Sequence, residues 1–171
     1  FSRSFGPVID PDLFARTEQT LVKIGPLPIV CEQRDFSPWN VHLTYAGEII
    51  VLDWESAEPC GLPALDLIYL LSYLAFYLDG VMATRNFQSS YRATLDPATF
   101  TGRVRQECLT YYADRLGFDR ADLRPLGLLV WLIHSQSDYR HMVADLGVRP
   151  GIEALRRSQF LSLWEEEARH V

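Results

Sequence analysis

Lysine is almost missing from this chain: Lys23 is the only one among 171 residues, so any phosphate chemistry that needs a lysine has a single candidate. A basic excess is missing too. Sixteen basic residues stand against twenty-two acidic ones, a net charge of -6, which argues against a general affinity for nucleic acid or other polyanions. Cysteine is scarce: Cys31, Cys60 and Cys108 are odd in number, far apart and outside any CxxC or His/Cys ladder. That pattern excludes a disulfide framework and a zinc site, and it fits a reducing, cytoplasmic setting. No long apolar run occurs. Leu67 to Leu78 is the longest and is interrupted by Ser72, whereas a membrane span needs about eighteen residues, so the run reads as a buried helix and no membrane partner is expected. There is no basic leader with an apolar core and cleavage site. The chain opens on Phe1-Ser2-Arg3 without a Met, which suggests a piece of something longer.

What is present is 48% hydrophobic, enough for one core, and residues 1–171 read as a single domain without repeats or linkers. Asp10-Pro11-Asp12 places a capping carboxylate before a proline, and Leu13, Thr17, Leu21 and Ile24 follow at helical spacing until Gly25-Pro26. Ile29-Val30-Cys31 is extended, and residues 32–39 are irregular. Two alternating runs, Val41 to Tyr45 and Glu48 to Leu52, flank Ala46-Gly47 as a hairpin. Residues 59–63 read as a loop, and the remainder as helices near 64–79, 85–95, 97–116, 120–146 and 150–169. The fold class is therefore α+β, predominantly helical.

A two-residue turn at Ala46-Gly47 sets Asn40 opposite Asp53 on one face of the hairpin, with Cβ atoms about 4.5–5.5 Å apart. An amide oxygen and a carboxylate so placed suit a hard cation such as Mg2+. Asp35, five residues before Asn40 in a segment that Pro38 keeps from running on as a strand, is the third oxygen donor. A three-residue loop would instead put Leu52 opposite Asn40.

The stretch Gln33-Arg34-Asp35-Phe36-Ser37-Pro38-Trp39-Asn40, with a hairpin that ends in Asp53-Trp54-Glu55, resembles the catalytic loop and metal-binding segment of the protein-kinase-like fold. The similarity is to its small-molecule branch, the aminoglycoside phosphotransferase and choline kinase family. Pro63-Ala64-Leu65-Asp66-Leu67 matches that family's later Pro-x-x-Asp-Leu context, and the helical remainder is similar in kind to its C-terminal lobe. The resemblance implies that Asp35 is the catalytic base or orienting carboxylate, and that Asn40 and Asp53 hold Mg2+ against the phosphates of ATP or another nucleoside triphosphate. Asp66 would brace the loop. The implied activity is transfer of a γ-phosphoryl group to a small hydroxylated substrate.

Two departures accompany the match. Gln33 stands where the family has His, as part of the loop's internal bracing, and no glycine-rich strand-turn-strand precedes the loop. The nucleotide-covering N-terminal lobe is thus expected elsewhere in a longer polypeptide, and these 171 residues are expected to be inactive alone. The alternative is a catalytically silent kinase-like module used for binding or regulation. Glu55 and Glu58 are substrate-binding candidates or plain loop acids. His134, Asp138, His141 and Asp145 form one helical stripe; His134 and Asp138 are candidate substrate contacts, although the stripe reads first as a solvated face. Glu165-Glu166-Glu167 reads as charged surface, Trp131 and Trp164 as core, and Trp39 and Trp54 as neighbours of the site.

Overall fold

A computed structural model describes residues 1–170. Most of them are helical, and the strands are few, short and antiparallel. The chain starts with a single helical turn, α1 (Ser2–Phe5), that the sequence does not announce, and continues into α2 (Pro11–Leu21). The Asp10 side chain caps α2 by accepting from the Asp12 and Leu13 amides, and Pro11 fills the first turn.

Strand β1 (Val30–Glu32) pairs with β4 (Glu58–Gly61), and β2 (Val41–Leu43) with β3 (Ile49–Val51). β4 corrects the sequence reading, which made residues 59–63 a loop. Pro59 and Gly61 mask a strand that belongs to a two-stranded ribbon, where a missing donor is tolerated. Gly61 is also required for space, because a Cβ there would lie 2.4 Å from Glu32 Cγ.

The helical body begins with α3 (Leu65–Leu78), whose apolar sequence is buried on several sides, and whose Ser72 hydroxyl is satisfied by the Ile68 carbonyl at 2.7 Å. Next come α4 (Val81–Thr84), α5 (Phe87–Leu95), α6 (Phe100–Leu116) and α7 (Leu123–Leu146). The predicted helix over 150–169 is two pieces, α8 (Ile152–Arg156) and α9 (Gln159–Arg169). Ser158 separates them with an extended backbone and caps α9 by accepting from the Leu161 amide. α7 packs against α9 and α3, and Trp131 and Trp164 are fully buried in the core between these helices.

Glu166 and Glu167 overturn the reading of 165–167 as surface: they are 1% and 4% exposed. Glu167 accepts from Tyr91 Oη and lies 3.5 Å from Arg105 Nη2, while Glu166 takes a two-point contact from Arg92. Three glutamates in a row look solvated by composition, and arginines from other helices, a tyrosine and the nearby Arg169 make their burial affordable. No described helix is long and apolar enough to cross a membrane.

Candidate functional site

The site grows from the loop between β1 and β2. Arg34 has a left-handed backbone, φ 73°, and turns the chain sharply after Gln33. Asp35 follows, and a 3-10 turn at Pro38–Asn40 leads into β2. The carbonyl of Asp35 accepts from the Ser37 amide at 2.7 Å and from Asn40 Nδ2 at 2.9 Å, which closes the loop on itself. Asn40 Nδ2 also donates to Asp35 Oδ2 at 3.0 Å. The amide and the carboxylate are thereby held together, and the amide oxygen of Asn40 accepts from no group among the described residues.

Two side chains, the half-buried Asp66 and the buried Gln33, fix this loop from behind. Asp66, in the first turn of α3, accepts from the Gln33 amide at 2.6 Å and the Arg34 amide at 2.9 Å. Gln33 is 2% exposed: its Nε2 donates to the carbonyls of Leu52 at 3.0 Å and Asp53 at 2.5 Å, and its Oε1 accepts from the Asp35 amide at 2.8 Å. The loop, the end of β3 and the start of α3 are one hydrogen-bonded unit.

The hairpin register differs from the two-residue reading. Leu43 faces Ile49 and Val41 faces Val51, so Asn40 meets Leu52, whose amide donates to the Asn40 carbonyl at 2.9 Å. The loop has three residues, Tyr45-Ala46-Gly47, with Gly47 at φ 83°, a left-handed position that glycine occupies without strain. Asp53 is therefore not the cross-strand partner of Asn40. It lies one residue beyond the ladder with its own backbone left-handed, φ 56°, and its carbonyl tied to Gln33. Three of the four non-glycine residues with positive φ among the described residues, Arg34, Asp53 and Ala64, surround this corner. Such conformations cost about 1–3 kcal/mol each and persist where the surroundings hold them.

Electrostatics at the corner are those of neighbouring carboxylates, with the charge of Arg34 acting on Asp66. Burial pushes the Asp35 carboxyl up from its ordinary value, the Asn40 amide pulls it back, and the charges of Asp53 and Asp66 push it up again. Asp66 is also raised, by burial, against the two backbone amides that favour its charged form. Neither Asp35 nor Asp53 forms an ion pair among the described residues. No group of three or more His, Cys, Asp or Glu side chains among the described residues could hold a metal ion; the candidate oxygen donors are the carboxylates of Asp35 and Asp53 and the amide of Asn40.

Asp35 lines a cavity of about 260 Å3 together with Arg34, Ser56, His134, Ser137, Asp138, His141 and Phe160. A neighbouring cavity of about 280 Å3 shares Arg34, Ser56, His134, Ser137 and His141 and reaches Glu32 and Asp66. The His/Asp stripe on α7 is solvated at its far end, where His141 and Asp145 are exposed, and half-buried at His134 and Asp138 beside the cavities. His134 lies against Tyr69, ring centroids 4.3 Å apart and nearly parallel, and Asp138 accepts from the Ser158 hydroxyl at 3.1 Å; Asp145 is exposed. Burial, with the charge of Arg34 second, lowers the His134 imidazole to about 4. Glu55 and Glu58 line neither cavity: Glu55 is exposed, and Glu58 Oε1 accepts from the Cys60 amide in β4. Trp39 and Trp54 flank the hairpin and are half exposed.

Sequence reasoning missed Arg34, Ser56, Ser137 and Phe160. Ser137 was within reach, since it lies one turn from His134 on the same stripe, whereas Phe160 arrives from α9 with no local signal. No family model, no curated protein and no solved structure matches the chain.

Proposed function

We propose that this domain is the C-terminal, phosphotransferase lobe of a protein-kinase-like small-molecule kinase. The reading is carried by one observation: a half-buried carboxylate, Asp35, is aimed by Asn40 at the edge of a cavity and tied through Gln33 to a second carboxylate-bearing residue, Asp53.

Asn40 occupies Oδ2 of Asp35 and leaves Oδ1 free of hydrogen bonds from the described residues, ready for an acceptor hydroxyl. The raised pKa makes this carboxylate a better proton acceptor than an ordinary aspartate, which suits a general base. In the proposed step the hydroxyl oxygen forms a bond to the γ-phosphorus of a nucleoside triphosphate as the bond to the bridging oxygen breaks. The hydroxyl proton passes to Asp35, and the nucleoside diphosphate departs. Gln33 and Asp66 keep the loop from relaxing.

The corner suits Mg2+, because neighbouring carboxylates without an ion pair among the described residues and an unengaged amide oxygen are hard donors, and this ion binds through one or two carboxylates while keeping waters. Asn40 and Asp53 would hold it. When bound it would neutralise the phosphate oxygens of ATP. The nucleotide-covering lobe belongs to sequence outside these residues, and the three unpaired cysteines suit the cytoplasm.

The test is Mg2+-dependent ATP turnover by a polypeptide that carries this domain with its preceding sequence, against a panel of hydroxylated acceptors. Asp35→Asn and Asp53→Ala are each expected to abolish turnover. Wild-type inactivity with every acceptor marks a silent module instead, and turnover indifferent to both substitutions means that the chemistry does not run through this corner.

A further inference from the structure

We propose that the acceptor bound beside Asp35 is a neutral, ring-shaped polyol of monosaccharide size. The inference rests on the reading of Asp35 as the group that meets an acceptor hydroxyl, and it adds the chemistry of the cavity's far wall.

That wall is aromatic. Phe160 and His134 both line the cavity, with ring centroids 5.2 Å apart, and behind them Tyr69 backs His134 while Trp131 lies parallel to Phe160 at 6.3 Å. Rings buttressed in this way present a fixed apolar face, suited to the C–H face of a pyranose or furanose.

The polar groups around that face are matched to hydroxyls rather than to ions. His134 is largely buried, yet neither of its ring nitrogens has a hydrogen-bond partner among the described residues, and neither is sealed from the cavity. With a pKa near 4 the ring is neutral at physiological pH, one nitrogen donating and the other accepting. The Ser137 hydroxyl is exposed and unpartnered, and Asp138 keeps acceptor capacity beyond its single bond from Ser158. A sugar hydroxyl, which both donates and accepts, satisfies each of these.

Charged acceptors fit less well. Asp35 and Asp138 are the carboxylates on this cavity, and the Arg34 guanidinium, which lines it too, works against a polycation. An anionic acceptor would need Arg34, whose charge already acts on Glu32 and Asp66. The volume of about 260 Å3 suits one ring rather than several.

The experiment is direct binding, with no nucleotide or metal present, so that it stands apart from the phosphotransfer assay. Ligand-detected NMR would be run on the 171-residue chain with D-glucose, D-mannose and D-galactose, and with kanamycin, choline and gluconate as charged probes. At least one neutral sugar is expected to bind, to be weakened about tenfold or more by Phe160→Ala and by the conservative surface change Ser137→Ala, and to resist competition by the charged probes. Circular dichroism checks that each variant is folded. Binding of a charged probe in place of the sugars, sugar binding that survives both substitutions, or no sugar binding by the folded chain overturns the proposal. Any of these leaves the role of Asp35 in phosphoryl transfer to be decided by the turnover test.

Discussion

The side chain of Gln33 reaches across to the end of the hairpin and donates to the carbonyl of Asp53 at 2.5 Å. With its bond to the Leu52 carbonyl and its acceptance from the Asp35 amide, it joins both edges of the candidate site through one buried residue. An imidazole cannot offer an NH2 group to two carbonyls, so glutamine at this position is suited to its own set of partners.

Gln33→Leu removes those bonds while keeping the volume. Three backbone groups lose their partner, each at about 1–3 kcal/mol when it stays buried, so a loss of roughly 2–4 kcal/mol is expected after partial rehydration. Urea unfolding of the two proteins measures it. A change below about 0.5 kcal/mol would mean that the loop is held without Gln33.

The buried Tyr91–Glu167–Arg105 group gives a second expectation. Tyr91 Oη donates to Glu167 and accepts from Trp131 Nε1 at 2.6 Å, and Arg105 lies against the same carboxylate. Glu167→Ala strands the guanidinium, and a destabilisation of about 3–5 kcal/mol is expected. Glu167→Gln keeps an acceptor for Tyr91 and should cost clearly less. Equal losses in the two variants would show that the charge is immaterial.

How far the sequence carries can be judged residue by residue. Helical spacing and caps such as Asp10 locate α2, and the apolar run after Pro63 locates α3, because those signals act within a few residues of their cause. The loop from Asp35 to Asn40 is likewise local, and both its polar ends can be recognised. Register is different. It hinges on whether Ala46 or Gly47 takes the left-handed position, a choice that shifts every facing pair by one and that the composition of the turn leaves open. β4 hides behind Pro59 and Gly61, and Glu166 and Glu167 look solvated until Arg92, Arg105 and Tyr91 arrive from other helices. The cavity wall of His134 and Phe160 joins α7 to α9, a pairing that no short-range pattern encodes.

His134 makes stability depend on pH. Its pKa is near 4 in the folded chain and near 6.5 when exposed, so the unfolded state takes up a proton first as the pH falls. The stability tied to the neutral ring is present above about pH 6.5 and is lost on the way down to about pH 4, reaching roughly 2–3 kcal/mol at pH 4.5. The raised carboxyls of Glu32, Asp35 and Asp66 act with the opposite sign and favour the fold as they protonate at the acid end. The difference between wild type and His134→Gln isolates the histidine: wild type should lose more stability than the variant between pH 7 and pH 4.5. Parallel losses would mean that the imidazole titrates as if exposed.

The central claim is that Asn40 and Asp53 hold one divalent ion beside Asp35. Its most direct measurement is paramagnetic broadening of assigned amide resonances as Mn2+ is titrated into the 171-residue chain, for wild type and Asp53→Ala. Broadening should begin at residues 35, 40 and 53, be displaced by excess Mg2+, and vanish from that corner in the variant. Broadening that starts elsewhere on the acidic surface, or that ignores the loss of Asp53, would contradict the account.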